Sequence, residues 1–350
     1  MFLRVLNAVV LTVVSLPLVA ADYQDASMSP EERVRDLLPR MTLEEKVGQM
    51  AQYVGIEHVA KSEKNMSIEE LRRSDARGFY PNLHSSQMPE VIKSGKVGSF
   101  LHVVTAEEAN MLQRYAQDSR LGIPLLIGID AIHGNALVRG ATVYPAPMSM
   151  ASTWNLDLVR RANEETAIEM RATGSHWSFT PNIDIARDPR WGRVGETFGE
   201  DSYLVGEMGV ATIEGLQQGD FTGPTKVIAN AKHWVAGGDP INGINLSPMD
   251  ISIRTLREDF FPPFKRAIDA GVFTFMAAHN EINGVPAHSN HFILTEVLRD
   301  EWGFDGFVVS DWMDVGRLHT FHRTATSPKD AVRQAVQGGI DMHMHGPSFL

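Results

Sequence analysis

Asp311 is the residue whose position most favours chemistry. It follows a short apolar run, 307–309, within the stretch Gly303–Trp312. A β-branched run of this kind is typical of a buried parallel strand, and catalytic groups of (β/α) barrels gather on the rim just beyond such strands. Asp is also a favoured helix N-cap residue. The stretch by itself therefore leaves a catalytic and a capping carboxylate as equal alternatives.

Asp130 occupies the same kind of position earlier in the chain. It closes the apolar run 125–129 and is followed closely by His133 and Gly134. A carboxylate there could accept hydrogen bonds from two hydroxyl groups of a sugar. The alternative is an Asp that caps a loop.

Two further runs end in residues that can bind or titrate. The run that begins at Val227 ends in Lys232 and His233, and Met276 and His279 close the run that begins at Val272. Neighbouring side chains on a regular strand point to opposite faces. Lys232 and His233 can therefore reach one site only if the strand has ended by that point; otherwise they form a pair on a surface turn.

A charged stretch, 182–201, surrounds Trp191. Arg193 offers a planar fork of donors suited to hydroxyl and carboxylate groups, and Glu196 and Glu200 are placed to support the loop that carries it. A run this rich in charge is usually a solvated loop. Its Pro, Trp and repeated Gly residues favour a fixed shape instead, with an aromatic surface against which a ring can stack.

The remaining pattern shows which elements must position these groups. Capping signals predict short helices at 29–41 and 42–50, and the polar stretch 57–88 is interpreted as a loop or insertion. Apolar runs then alternate with amphipathic segments, which predicts βαβ units and a parallel sheet. An open doubly wound sheet is the alternative, but no Gly-x-Gly-x-x-Gly follows the first strand. The prediction is an α/β fold, a (β/α)8 TIM-like barrel that is incomplete at its C-terminal end.

Composition limits the classes of partner. The 350-residue chain has a formal net charge of −11 and 43% hydrophobic residues. This charge disfavours binding to a nucleic-acid backbone, which usually requires a basic face. An apolar segment ending in small residues predicts a signal peptide at 1–21, and hence a periplasmic or secreted protein with no membrane association after cleavage. The chain has no Cys for disulfides or lipid anchors.

Six motifs together resemble glycoside hydrolase family 3, the retaining β-glucosidases and their relatives. In chain order they are Ile129–Gly134, Arg187–Asp201, Lys232-His233, Asn280–Pro286, Leu298–Trp312 and Gly339–Met342. The resemblance implies a barrel domain over 22–350, without the family's C-terminal α/β domain. It also implies that Asp311 is the nucleophile, and that no cofactor or metal takes part.

The same resemblance implies a sugar-binding set around the nucleophile and a carbohydrate as the partner. Its members are Asp130, Arg193, Lys232, His233, Met276 and His279. The implied activity is hydrolysis of terminal β-D-glucosyl residues through a glycosyl-enzyme on Asp311.

Three features depart from the family's pattern. His279 stands where its glucosidases usually carry Tyr, and the loop after His233 lacks the Asp-Ser-His stretch that the family's single-domain N-acetylhexosaminidases use as acid/base. No general acid can be assigned, because the glucosidases take it from the absent domain. An N-acetyl-β-hexosaminidase and a non-catalytic sugar-binding chain therefore stay as alternatives.

Overall fold

A computed structural model describes residues 23–67, 69–70, 80, 83–219 and 223–345. The predicted signal peptide therefore lies outside the described residues. The chain divides into two compact units, 1–42 and 43–350. In the first unit, a helix over Pro30–Leu37 begins at a capping box in which Ser29 and Glu32 each bond the other's backbone N–H, as the sequence predicts.

The described part of the second unit is built on eight short parallel strands. The strands are β1 (Ala51–Val54), β2 (Ser99–Leu101), β3 (Leu126–Ile129), β4 (Trp177–Ser178), β5 (Asn230–Trp234), β6 (Thr274–Ala277), β9 (Phe307–Val309) and β10 (His343–Met344). A small antiparallel hairpin of β7 (Glu281–Ile282) and β8 (Val285–Pro286) lies between β6 and β9.

The pairing of these strands runs in a ring. One sheet has the order β10-β1-β2-β3-β4 and a second has the order β5-β6-β9. Isolated parallel bridges join the two sheets. Trp177 pairs with Ile228 and Asn182 with Lys232 on one side, and Val309 pairs with Met342 on the other. The predicted TIM-like (β/α)8 barrel, incomplete at its C-terminal end, is confirmed: the strands pair around the ring, and β10 is the last element of the described residues.

Helices alternate with the strands as the sequence pattern predicts. Several start at a side chain that accepts a backbone N–H, with Thr105, Asn155, Asp201 and Ser327 as the caps. Among the described residues of this unit, the α-helices of five or more residues are Leu43–Gln49, Ile56–Asn65, Met88–Lys93, Ala106–Gln117, Pro147–Ala151, Leu156–Ala172, Ser202–Gln217, Phe261–Asp269, Asp314–Thr320 and Pro328–Gly338. Two π-helical segments cover Leu256–Phe260 and Phe292–Glu301. None of the helices in the described ranges is long and apolar enough to cross a bilayer.

The sequence-based assignment failed around the first strand. The interpretation of 57–88 as a loop is wrong, because Ile56–Asn65 and Met88–Lys93 are helical; residues 68, 71–79 and 81–82 lie outside the described residues. The first of these helices buries only Val59 and Ser62, so its polar composition hides it. Strand β1 also went unrecognised. It carries the buried Gln52, whose amide donates to Ser99 Oγ at 2.7 Å.

Close packing inside the ring explains one of the glycines. Gly128 lies on β3 against the ring of Phe179, and a Cβ at this position would approach Phe179 Cζ to 2.5 Å. Trp177 on β4 is fully buried and donates its indole N–H to Thr274 Oγ1 on β6 at 2.8 Å. Aromatic side chains therefore fill the barrel interior beneath the strand ends that carry the polar groups.

Candidate active site

A cavity of about 620 Å³ opens at the carboxyl ends of the barrel strands. Most of its polar wall comes from the residues that follow or end β2, β3, β5 and β9, and Arg193 joins it from the loop after β4. The lining residues are Val54, His58, Leu101, His102, Val104, Asp130, Leu137, Arg193, Lys232, His233, Met276, Asp311, Trp312 and Met344. The structure thus brings together six of the seven predicted site residues, and only His279 is not part of the wall.

Asp130 forms one charged centre on this wall. Its Oδ1 lies 2.7 Å from Lys232 Nζ, and its Oδ2 lies 2.9 Å from His102 Nε2. Burial would raise the pKa of Asp130, but the Lys232 charge and the His102 hydrogen bond hold that pKa below its usual range. Asp130 is therefore a carboxylate that keeps lone pairs for hydroxyl groups.

Arg193 is fixed by a carboxylate behind it. Its Nε and one terminal nitrogen donate to the two oxygens of Glu196, each at 2.8 Å. Burial would raise the pKa of Glu196, whereas the hydrogen bond and the charge of Arg193 lower it overall. The predicted supporting role of Glu196 agrees with this bidentate pair.

His233 is held as a neutral ring. Its Nδ1 lies 2.7 Å from Asp184 Oδ2, and its Nε2 lies 2.9 Å from an Arg193 nitrogen. Burial and the neighbouring Arg193 charge lower the pKa of His233. Since the guanidinium can only donate, we assign the proton to Nδ1 and the lone pair to Nε2.

Lys232 and His233 share the cavity although the strand has not ended, which differs from the sequence-based expectation. The strand does not end before them, because β5 continues to Trp234. Its register against β6 shifts between Ala231 and Trp234, and the Lys232–His233 peptide bond is cis. The irregular register breaks the alternation of faces, so that both side chains line one cavity.

Asp311 is the second charged centre and is more deeply buried, its side chain being 9% exposed against 30% for Asp130. Its Oδ1 accepts the Trp312 backbone N–H at 2.6 Å. Its Oδ2 lies 2.9 Å from His279 Nε2 and 3.5 Å from His233 Nε2. Burial would raise the pKa of Asp311, but the charge and hydrogen bond of His279 hold that pKa well below its usual range.

His279 lies behind Asp311, between two carboxylates. Its Nε2 faces Asp311 and its Nδ1 lies 2.6 Å from Asp314 Oδ2. Burial would lower the pKa of His279, but the charges of Asp311 and Asp314 raise it to about 10. The ligand atoms of these three residues lie within 4.8 Å of one another. The positive charge between the two carboxylates is that of the His279 imidazolium.

Sequence reasoning missed three supporting residues: His102, His288 and Asp314. His288 accepts the Asp311 backbone N–H at its Nε2, at 2.9 Å, and burial lowers the pKa of its ring to about 4. Asp314 comes three residues after Asp311 at the start of a helix, a spacing that signals a cap rather than a site residue. Only the pairing of β2 with β3 and of β6 with β9 brings these side chains to the site.

The chain resembles known proteins over most of its length. The family model described as the glycosyl hydrolase family 3 N-terminal domain matches residues 42–349. The periplasmic beta-glucosidase of Salmonella typhimurium is 36% identical over 321 residues, which cover 91% of this chain and 38% of that protein. A beta-xylosidase of Formosa agariphila is 44% identical over 262 residues, covering 71% of this chain and 36% of that protein.

A solved structure agrees with both the fold and the family match. The beta-glucosidase from Listeria innocua, crystallised in complex with isofagomine, superposes with a TM-score of 0.78 at 32% identity. The superposition covers 92% of this chain and 42% of that one. The chain therefore spans about two-fifths of the length of these relatives.

Proposed function

We propose that this chain forms the nucleophile-bearing and sugar-binding part of a retaining β-glycosidase. The chain belongs to the family of glycosyl hydrolase family 3 N-terminal domains, which is the basis for this proposal. The proposed substrates are β-glucosides and β-linked oligosaccharides with a terminal β-D-glucosyl unit. The observation that carries the proposal is the buried, ionised Asp311 on the wall of a cavity that also presents Asp130, Lys232 and Arg193.

The geometry supports a division of labour in this cavity. Asp311 attacks the anomeric carbon with an oxygen lone pair, the bond to the aglycone breaks, and a glycosyl ester forms. The oxocarbenium-like transition state develops positive charge beside the carboxylate. Asp130 accepts hydrogen bonds from sugar hydroxyls, while Lys232 and Arg193 donate to hydroxyl oxygens. Water then attacks the same carbon and returns the electron pair to Asp311.

Among the described residues, the cavity wall offers no carboxyl group suited to donate a proton to the leaving group. Its two carboxylates are Asp130 and Asp311, and the pKa of each is held below the usual range. Glu196 is engaged by Arg193 through two hydrogen bonds. A substrate with a good leaving group needs no acid, so this chain should glycosylate Asp311 faster with activated glycosides than with alkyl glycosides.

Covalent labelling tests the proposal directly. The chain is incubated with 2,4-dinitrophenyl 2-deoxy-2-fluoro-β-D-glucopyranoside, and its peptides are analysed by mass spectrometry. We expect one glycosyl unit per chain on the peptide that contains Asp311, and no label in Asp311→Asn. A folded chain that takes up no label, or takes it up at another residue, would refute Asp311 as the nucleophile.

A β-xylosyl unit is a second candidate for the first subsite, because the Formosa agariphila relative is named a beta-xylosidase. Labelling with the 2-fluoro xyloside in parallel separates the two sugars. Faster labelling by the glucoside supports the primary proposal. Faster labelling by the xyloside would assign the site to a sugar without the hydroxymethyl group.

We also propose a periplasmic or secreted location. Residues 1–21 have the pattern of a signal peptide, and the Salmonella typhimurium relative is named as periplasmic. The full chain and a variant that starts at Asp22 can be expressed in a Gram-negative host and fractionated. Export of the first and retention of the second is the expected result, and retention of both would contradict the proposal.

A further inference from the structure

The contacts around His279 form a chain of alternating charges that reaches the proposed nucleophile from behind. Asp311 Oδ2 meets Nε2 of the ring at 2.9 Å, Asp314 Oδ2 meets Nδ1 at 2.6 Å, and Arg317 donates to Asp314 Oδ1 at 2.7 Å. The Asp314 side chain is fully buried. Burying a carboxylate costs free energy unless it is paired, and Asp314 has two cationic partners. The presence of this buried, paired acid behind the nucleophile therefore requires an explanation.

His279 is poorly placed to be the missing acid/base. It is not part of the cavity wall, and both of its ring nitrogens already face carboxylates. Two anions that flank one imidazolium hold its proton in place rather than release it to a leaving group. The arrangement instead fixes the charge and the orientation of the ring beside Asp311.

We propose that Asp314 is a positioning residue that keeps His279 charged through the whole catalytic cycle, and above all while Asp311 is esterified. This inference rests on the proposed function, in which Asp311 forms the glycosyl-enzyme. Asp314 touches neither the sugar nor the reacting atoms, and it acts through the ring of His279.

The cycle shows why a second carboxylate matters. In the free enzyme, Asp311 and Asp314 both stabilise the imidazolium. When Asp311 forms its ester bond it loses its negative charge, and Asp314 becomes the remaining anion in contact with the ring. During hydrolysis water attacks the anomeric carbon, the ester C–O bond breaks with its electron pair going to Asp311, and a water proton passes to solvent. An imidazolium at Nε2 stabilises the returning negative charge.

Other titratable groups face this pair and set its pH range. His233 stacks near His279 with ring centroids 6.0 Å apart, and burial with the Arg193 charge keeps it neutral. His288 Nδ1 lies 3.6 Å from Asp314 Oδ2, and burial lowers its pKa to about 4. His322 also influences His288 and pairs with Glu281 at 2.7 Å. Near neutral pH, therefore, the charged contacts of the His279 ring are Asp311 and Asp314.

Asp314→Asn tests the proposal because it keeps the side-chain shape and removes the charge. The chain and this variant are labelled with the 2,4-dinitrophenyl 2-fluoro glucoside, freed of excess reagent, and followed by intact mass as the label is lost at pH 5 to 9. We expect labelling to change by no more than a few-fold, since Asp311 still holds the ring charged in the free enzyme. We expect release of the label at pH 8 to slow by about tenfold or more, and to recover towards the parent rate at pH 5 as the ring regains its proton.

A conservative variant provides the matched control. Asp314→Glu keeps the negative charge and should retain the parent pH profile of release, even if both rates fall. Equal losses of labelling and release at every pH in Asp314→Asn would overturn the proposal in favour of a purely structural role. Absence of label on the folded parent chain is a different outcome, because it removes the proposed function itself and this inference with it.

A second measurement keeps the inference testable if Asp314→Asn does not fold. In the trapped glycosyl-enzyme of the parent chain, the His279 ring nitrogens can be followed by NMR with ¹⁵N-labelled histidine, assigned by comparison with His279→Gln. Retention of both ring protons at pH 8 after esterification is the expected result. A ring that has lost a proton at pH 8 in that trapped state would overturn the proposal without any variant at Asp314.

Discussion

The two carboxylates of the cavity keep their negative charge in different ways. Asp130 is half-buried and has one cationic contact, Lys232, and one imidazole contact, His102. Asp311 is more deeply buried, and its cationic neighbour His279 is itself held by Asp314. The first centre is a carboxylate with two direct contacts at the open cavity, whereas the second is a layered network.

This difference matches what each carboxylate has to do in the proposed reaction. Asp130 contacts hydroxyl groups and keeps its charge throughout, so a single lysine is sufficient. Asp311 must gain and lose a covalent bond, and its charge disappears and returns. A neighbour whose own charge depended on Asp311 alone would change with it, and Asp314 removes that dependence.

Asp311→Asn should have the largest effect of the substitutions at these two carboxylates. An amide cannot act as the nucleophile, so kcat for 2,4-dinitrophenyl β-D-glucoside should fall by about 10⁴-fold or more. Release of dinitrophenolate measures this. If the variant kept a rate within tenfold of the parent, the layered network would have no role in bond making.

Asp130→Asn should have the next largest effect, with a different signature. It removes charge-assisted hydrogen bonds to sugar hydroxyls, and kcat/KM for the activated glucoside should fall by about 10²-fold. Label should still appear on Asp311, only more slowly. Complete loss of labelling in a variant with an unchanged circular dichroism spectrum would show that the two centres cannot be separated.

The network should also be visible in stability against pH. Because the pKa of His279 is raised to about 10 in the folded protein, its proton stabilises the fold fully below the unfolded-state pKa near 6.5, and that contribution is lost as the pH rises through about 10. The free energy of unfolding should fall over this window with a slope of up to about 1.4 kcal/mol per pH unit. Urea titrations at several pH values measure it, and the same slope in His279→Gln would assign the effect to other groups.

The smallest effect on activity is expected for a substitution beside Asp130, at His102. His102→Gln removes the imidazole contact to Asp130 and leaves the Lys232 ion pair, so kcat/KM should fall by about tenfold or less. The pH profile of label release should match that of the parent. A change in that profile would show that the Asp130 and Asp311 centres are coupled.

The residues at strand ends were predictable and the residues behind them were not. Asp130, Lys232 and Asp311 each follow a visible apolar run, and a parallel barrel sends such positions to one rim. Asp314 and His288 carry no such signal, because they meet only after β6, the β7–β8 hairpin and β9 have folded together. These supporting residues act through contacts between distant segments, which local patterns do not encode.

The same limit explains the error before β2. A helix that buries two side chains and a strand that contains Gln52 are stabilised by their neighbours rather than by their own periodicity. Lys232 and His233 give a third case, since only the register shift in β5 allows adjacent residues to face one cavity. Local pattern predicted the barrel, and tertiary pairing determined its irregular details.

The ring of strands also determines how much of the chain the cavity needs. Strand β1 pairs with both β2 and β10, so the first and last strands of the barrel must meet before the cavity has a continuous wall. Val54 and Met344, from those two strands, lie on that wall. Contacts between such distant segments slow folding, because loop closure precedes the gain from pairing. A ribosome-bound chain that has not yet exposed β10 would therefore hold Asp311 without the complete pocket that receives a sugar.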